Sequence, residues 1–195
     1  AGSIILIGEW SGCPPDELNK GLNMSSTNVS KGVARMHKWL VVENVDGPEE
    51  SQIDGVTQGQ LNIVPGICSE VIPGPADSAI FNTGDDELSI GQKMENQGVE
   101  WLEANKKPGS RVNGASVFAD MLEAVVEGKK LESGIPEKPA FYVFEHCRGW
   151  ISRIPVLVRD SKKPDDVDTQ QEDHDWDATR YRVLHSPRRS GAIFF

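Results

Sequence analysis

The chain has 195 residues, of which 37% are hydrophobic and 26% charged, and its formal net charge is −10. This length fits one ordinary domain, and the composition excludes wholesale disorder. No run approaches the ~18 apolar residues of a membrane span, and the first residues show no signal-peptide pattern. Three cysteines without CxxC spacing argue against a disulfide framework and a structural zinc site, and are typical of a reducing cytosol.

The acidic excess lies entirely in the first half of the chain. Residues 1–100 contain 5 Lys/Arg and 15 Asp/Glu, whereas residues 101–195 contain 15 of each. The second half therefore has enough cations to build a local basic surface. The net charge does not exclude DNA binding, but it argues against a domain that binds through phosphate contacts alone.

The first strand and helix are clear in the sequence. Residues 4–10 (IILIGEW) are apolar and partly β-branched, which predicts a buried strand. Because this strand begins close to the first residue, we expect earlier strands of its sheet to be missing. A helix capped at residues 25–27 is predicted to run to about Leu40 on an apolar stripe of Val29, Val33, Met36 and Leu40. Residues 11–22 and 43–60 are predicted loops.

A short strand is predicted at residues 70–72, ending at the turn Pro73-Gly74-Pro75. Asp77 would then follow the carboxyl end of a strand, where open α/β sheets place their ligand sites. The alternative is an ordinary turn residue.

Helices and strands alternate through the second half. Helices are predicted at 88–97, 115–127, 147–157 and 173–184, a strand at 140–145, a basic turn-rich loop at 105–114, another loop at 160–170, and a tail from 185 to 195. This alternation predicts a single α/β domain over residues 1–195.

Two carboxylates lie four residues apart on the last predicted helix. Asp173 and Asp177 therefore share one helical face, where like charges repel unless a cation lies between them. One interpretation is a Mg²⁺ or Mn²⁺ site, because hard cations prefer oxygen ligands. The other is a solvated acidic first turn, which stabilises a helix through its dipole.

A calcium-loop spacing overlaps the same segment. Asp166, Asp168, Gln170 and Asp177 fall at positions 1, 3, 5 and 12 of such a loop. Gln171 stands where an EF-hand needs glycine, which argues against that motif. A calcium-binding adaptor remains a third, weaker hypothesis.

Two further groups are candidates for chemistry. Glu145 ends a predicted strand and is followed by His146 and Cys147, a set that suggests a reactive thiol or a zinc site. The plainer interpretation is a strand end with a buried cysteine and a hydrogen-bonded histidine. Three cations of the basic loop are candidate DNA-phosphate contacts or a solvated surface: Lys106, Lys107 and Arg111.

Four blocks, in order, resemble segments of the large terminase subunits of tailed bacteriophages. They are VIPGPADSAIF (71–81), KPGSRVNG (107–114), FYVFEHCR (141–148) and residues 155–181, which end in EDHDWDATRY. The opening strand and Gly21-Leu22 match the family's order as well, and the family more often has Asp in place of Glu145. Large terminases join an ATPase to a C-terminal nuclease. The absence of a GxxxxGK[ST] motif agrees with a resemblance to the nuclease alone.

The resemblance implies an RNase H-like mixed sheet flanked by helices and lacking the first strand or strands. It implies an endonuclease that cuts concatemeric double-stranded DNA with two Mg²⁺ or Mn²⁺ ions. Asp77 and Asp173 would be metal ligands, Asp177 a supporting ligand, and Glu145 a lower-ranked catalytic candidate. The carboxylate that the family carries on its first strand is not found.

The resemblance also implies partners and a location. The partners are double-stranded DNA, the terminase ATPase domain, the small terminase subunit and the portal protein, in the cytoplasm of a bacterial host and without a membrane. The alternative hypothesis is a truncated, catalytically incompetent prophage remnant or interaction module with the same fold. An exposed sheet edge would favour self-association in either case.

Overall fold

The computed structural model describes residues 2–10, 24–41, 61–62, 66–84, 87–185 and 192–194. The strands are β1 (Ile4–Trp10), β2 (Leu61–Asn62), β3 (Gly74–Ala76), β4 (Trp101–Glu103), β5 (Phe141–Val143) and β6 (Ala192–Phe194). The helices are α1 (Ser26–Val41), α2 (Ile90–Glu95), α3 (Ser110–Glu127), α4 (Arg148–Arg153) and α5 (His174–Leu184), with short 3-10 turns at Ser78–Phe81 and Ile154–Val156. The protein therefore belongs to the α/β class.

The chain divides into a first unit, residues 1–8 and 104–195, and a second unit, residues 9–103. In the first unit, β1 pairs in parallel with β5 and with β6. In the second unit, the last residues of β1 pair antiparallel with β2, and β3 pairs in parallel with β4. Parallel neighbours need a crossover connection, and α2 lies in the crossover from β3 to β4.

An aromatic cluster forms the core of the first unit. The ring centroid of Phe118, on α3, lies 5.1 Å from that of Phe141, 6.1 Å from that of Trp150 and 5.9 Å from that of Trp176. Such tilted and edge-to-face pairs add to the free energy gained by burial alone. Because these rings come from α3, β5, α4 and α5, the cluster fixes the helices that carry the candidate site.

Helix α1 supplies the apolar stripe of the second unit. Val33, Met36 and Leu40 are buried, as the sequence pattern predicts. The Ser25 hydroxyl accepts a hydrogen bond from the Asn28 N–H at 3.3 Å and so caps the first turn. Helices α1 and α2 pack against each other within this unit.

Two element boundaries differ from the sequence prediction. The strand predicted at residues 70–72 is irregular, and the strand lies at Gly74–Ala76, where a turn was predicted. Pro75 is tolerated there because β3 has one hydrogen-bonded neighbour among the described strands, so a missing N–H need not break a ladder.

The second difference concerns the predicted basic loop at 105–114. Helix α3 begins at Ser110, five residues earlier than predicted, so Arg111 lies in a helix and not in a loop. Gly109 precedes the helix with a φ of 83° and no side-chain cap, and Gly114 lies inside it. Neither glycine gives the usual signal for a helix, which explains the error.

The other predicted elements have mixed outcomes. Strand β1 and helices α1, α2, α4 and α5 lie where they were predicted, as does β5 within residues 140–145. The predicted loops at 11–22 and 43–60, together with Gly21-Leu22, lie outside the described residues. Strand β6 lies within the predicted tail at 185–195. A single domain over residues 1–195 stays a prediction. Among the helices described, none has the length and apolarity to cross a membrane.

Candidate functional site

Three carboxylates of the first unit converge on the guanidinium of Arg111. Its Nε donates to both carboxylate oxygens of Asp166 at 2.8 and 2.9 Å, and its Nη1 donates to Asp177 at 2.9 Å. Its Nη2 lies 3.4 Å from an oxygen of Asp173 and 3.4 Å from the carbonyl oxygen of Val167. We call Arg111, Asp166, Asp173 and Asp177 the carboxylate cluster.

Local backbone structure positions each carboxylate. Asp173 directly precedes α5, makes no side-chain cap to that helix, and accepts a hydrogen bond from the Asp177 N–H through its carbonyl oxygen at 2.9 Å. Asp177 follows one turn later. Asp166 is held in a tight loop, because its N–H donates to the Lys163 carbonyl and its own carbonyl accepts from Asp160. The cluster thus joins α3, the loop before α5, and the start of α5.

A second arginine, which is buried, also binds Asp177. Arg180 is 2% exposed, and its Nε and Nη2 donate to one oxygen of Asp177 at 3.2 and 2.9 Å. Its Nη1 lies 3.3 Å from the hydroxyl of Ser110. Gly114 makes room for the arginine, since a Cβ there would lie 2.5 Å from its Cγ. Asp177 is therefore fixed by two guanidinium groups.

The carboxylate cluster and Arg180 together keep a surplus of negative charge. Three carboxylates face two guanidinium groups, which leaves one formal negative charge. Burial raises the pKa of Asp173, and the neighbouring charge of Asp177 raises it further, while Arg111 opposes the shift. Burial alone would lower the pKa of Arg111, but the hydrogen bond to Asp166 and the surrounding carboxylates outweigh it and raise that pKa.

The donor chemistry of the cluster suits a hard divalent cation, because carboxylate oxygens are the ligands that Mg²⁺ and Mn²⁺ prefer. Within the described ranges, no group of three or more His, Cys, Asp or Glu side chains has the geometry to hold a metal ion. The cluster is thus an ion-pair network centred on a guanidinium. The Asp173 side chain is only 13% exposed, while Asp177 lies in the acidic first turn of α5.

Asp77 follows β3 directly, as the sequence predicts, although that strand is not the one expected. One of its carboxylate oxygens accepts a hydrogen bond from the Ala79 N–H at 2.8 Å and caps the 3-10 turn at Ser78–Phe81. Asp77 belongs to the second unit, whereas Asp173 and Asp177 belong to the first. A metal site shared by Asp77 and Asp173 stays a prediction.

Two of the residues after β5 contact the backbone of β1. Glu145 is exposed, whereas Cys147 is fully buried and its thiol lies 3.8 Å from the Leu6 carbonyl oxygen. The ring nitrogen Nε2 of His146 lies 2.9 Å from the Ile7 carbonyl oxygen. The plainer interpretation of these residues, a buried cysteine and a hydrogen-bonded histidine at a strand end, is confirmed.

The other sequence-predicted groups are dispersed. Lys106 and Lys107 are exposed on the loop before α3, whereas Arg111 is engaged in the cluster. The four residues with the calcium-loop spacing do not converge on one point. The Asp168 side chain accepts a hydrogen bond from the Gln170 N–H, whereas Asp166 and Asp177 bind Arg111.

The sequence pattern does not indicate Asp166 or Arg180 as partners of Asp177. Asp166 stands out only in the calcium-loop spacing. The spacing of three from Asp177 to Arg180 was the available signal, since it places an acid and a base side by side on a helix. Comparisons with protein-family models, with curated proteins and with solved structures find no match for the chain.

Proposed function

We propose that this chain is a divalent-metal-dependent DNA endonuclease with an RNase H-like fold, similar to the nuclease of terminase large subunits. The observation that carries the proposal is the carboxylate cluster. In it, Asp173 and Asp177 at the start of α5 lie with Asp166 around the guanidinium of Arg111. The surplus negative charge of the cluster favours a further cation. The four sequence blocks that resemble the family include Asp77, Arg111, Asp173 and Asp177.

The strand pairing supports the same fold. Strand β1 has a parallel neighbour in β5 and an antiparallel neighbour in β2, which is the mixed pairing that the resemblance implies. The cluster lies where α5 begins, and α5 packs through Trp176 on the same aromatic core as β5. An RNase H-like arrangement is part of the proposal and goes beyond the α/β class.

In the proposed reaction, the chemistry that two bound divalent metal ions would supply is activation of a water and stabilisation of the leaving oxygen of the phosphodiester. Asp77 and Asp173 would hold these ions, and Asp177 would support Asp173 from one turn away. Arg180 keeps Asp177 in place through two N–H donors. Lys106 and Lys107 would bind backbone phosphates without reading base sequence. Glu145 ranks below these residues because it is exposed at the end of β5.

The wider setting is proposed from the family resemblance. Double-stranded DNA would be the substrate, and the terminase ATPase domain, the small terminase subunit and the portal protein would be partners. The site of action would be the cytoplasm of a bacterial host.

The test is nicking of supercoiled plasmid DNA in Mn²⁺. We expect cleavage by the wild-type chain and a loss of about 100-fold or more in Asp173→Asn, because a metal ion contributes several kcal/mol to transition-state stabilisation. Asp165→Asn is the matched control, since Asp165 is exposed in the loop beside Asp166. Cleavage that persists in chelator, or that Asp173→Asn retains, would contradict the proposal.

A second candidate function is a non-catalytic interaction module, such as a prophage remnant. The observation that favours it is that Arg111 already binds all three carboxylates. This candidate predicts that the folded chain binds DNA or a protein partner but does not nick plasmid at any Mn²⁺ concentration. The same assay therefore separates the two functions.

A further inference from the structure

We propose that the outer side of α3 is a docking surface for a basic amphipathic helix of a partner protein. The surface consists of an apolar stripe, formed by Val112, Ala115, Ala119, Leu122 and Val126, and of an acidic row beside it. It lies outside the carboxylate cluster, and its role does not depend on the proposed nuclease function.

The first argument is that α3 has a second apolar face, which is open to solvent. Its buried face is already used, because Phe118 and Met121 belong to the core of the first unit. On the apolar stripe, however, Val112, Leu122 and Val126 are 47%, 41% and 87% exposed. Single exposed apolar residues are ordinary, but several in one row on a helix mark an interaction surface.

The second argument is the spacing of the stripe, which indicates the shape of the partner. Its five residues follow one another at intervals of three, four, three and four, which is the a/d spacing of a heptad. Such a seam receives the side chains of another helix as knobs between its own. Ala115 and Ala119 in the middle are small, so a partner helix can approach closely. The stripe is about 21 Å long and matches a partner helix of about four turns.

The third argument is charge. After Arg111, α3 contains three carboxylates and no Lys or Arg. Asp120, Glu123 and Glu127 are exposed and lie three and four residues apart, so they form one row beside the stripe. Glu127 already pairs with two lysines, whereas Asp120 and Glu123 have no ion pair within the described part of the chain. A helix with Lys or Arg beside its apolar face complements this row.

The same charge argues against a second copy of this chain as the occupant. In a symmetric dimer the same patch faces itself, so each copy would bring Asp120 and Glu123 to the interface. Like charges that meet across an interface oppose association. A basic partner helix is therefore favoured over self-association through α3.

The test is fluorescence anisotropy of two labelled three-heptad peptides, titrated with the full chain. Both peptides carry Leu at positions a and d, and one has Lys and the other Glu at positions e and g. Like charges at e and g keep each peptide from pairing with itself. We expect the Lys peptide to bind about tenfold or more tightly than the Glu peptide, because only the Lys peptide complements the acidic row. Absent binding of the Lys peptide, or equal binding of the two, overturns the proposal.

Two variants test whether the peptide binds on the stripe. We expect Leu122→Asp to weaken binding of the Lys peptide by about tenfold or more, because it places a charge in the apolar seam. Val126→Asp, at a more exposed position, is expected to do the same and serves if Leu122→Asp does not fold, as judged by circular dichroism. Val156→Asp is the matched control, since Val156 is 71% exposed outside α3, and it should have little effect. Unchanged affinity in a folded stripe variant overturns the proposal.

A charge reversal tests the acidic row. We expect Glu123→Lys to weaken the Lys peptide and to strengthen the Glu peptide, whereas Glu100→Lys, an equal change of net charge at an exposed position of the second unit, should shift neither peptide much. Equal effects of the two reversals would mean that net charge alone attracts the peptide, and would overturn the proposal. Sedimentation equilibrium tests the other occupant. A wild-type dimer that Leu122→Asp converts to a monomer would assign the surface to a second copy, and would also overturn it.

Discussion

At the scale of single residues, the contact between Gly114 and Arg180 controls the geometry of the carboxylate cluster. Arg180 is a buried cation, and such a group is tolerated only when it is paired and hydrogen-bonded. Asp177 and the Ser110 hydroxyl supply those partners. Gly114 leaves room between α3 and α5 for the stem of Arg180, whose guanidinium binds Asp177.

This contact predicts the effect of Gly114→Ala. Alanine favours a helix over glycine by about 1 kcal/mol, but its Cβ would lie 2.5 Å from the buried Cγ of Arg180. Overpacking of this kind costs about 1–3 kcal/mol, so we expect a net loss of about 1 kcal/mol in the free energy of unfolding. Urea unfolding is the measurement. Ser116→Ala, at an exposed position of α3, should change it by less than about 0.5 kcal/mol, and an equally stable Gly114→Ala chain would contradict the packing argument.

The candidate site was only partly predictable from the sequence. The pair Asp173 and Asp177 follows from helical spacing, and Asp77 follows a strand as expected. The part played by Arg111 did not follow, because its helix start is hidden by Gly109 and because its partner Asp166 is 55 residues away in the chain. Ion pairs across such separations depend on packing of α3 against α5, which periodicity does not reveal.

At the scale of elements, a side-chain cap marks the start of the short helix α2. Helix α2 carries a capping box, in which the Ser89 hydroxyl accepts from the Gln92 N–H at 3.1 Å and the Gln92 side chain accepts from the Ser89 N–H at 2.9 Å. This element has only six residues, too few to be stable through its own hydrogen bonds. Its cap and its buried Met94 therefore carry its stability.

We expect Ser89→Ala to lower the free energy of unfolding by about 1 kcal/mol. The substitution removes the hydroxyl that accepts the hydrogen bond from the Gln92 N–H in the first turn of α2. Ser69→Ala, at an exposed bend of the same unit, is the control and should be nearly neutral. Chemical denaturation of both variants measures the difference. An equal effect of the two substitutions would show that the cap does not stabilise α2.

At the scale of the whole molecule, local sequence patterns predict the positions of the helices and of the long strand β1 better than they predict the pairing of the strands. The long apolar run at β1 and the stripe on α1 bury enough side chains to be recognised from sequence. The strands β2, β3 and β4 have two or three residues each, which is too short for a period-2 pattern to appear. Pairing between such strands is set by tertiary packing, so the arrangement of strands around β1 does not follow from local sequence patterns.

The charge state of two histidines predicts how the stability of the whole chain depends on pH. Burial lowers the pKa of His37, and burial together with the charge of Arg182 lowers the pKa of His185. Their pKa values in the folded chain lie below the unfolded value of about 6.5, so the unfolded state binds the proton more readily. The contribution of these two histidines to the free energy of unfolding is therefore fully present above about pH 6.5, and it is lost as the pH drops below that value.

We expect the thermal midpoint to fall between pH 7.5 and 5.5, a window in which most carboxylates stay charged. The double variant His37→Gln/His185→Gln should lose less over this window than the wild-type chain, whereas His174→Gln, at an exposed position, should follow the wild type. An unchanged slope in the double variant would mean that other groups cause the loss.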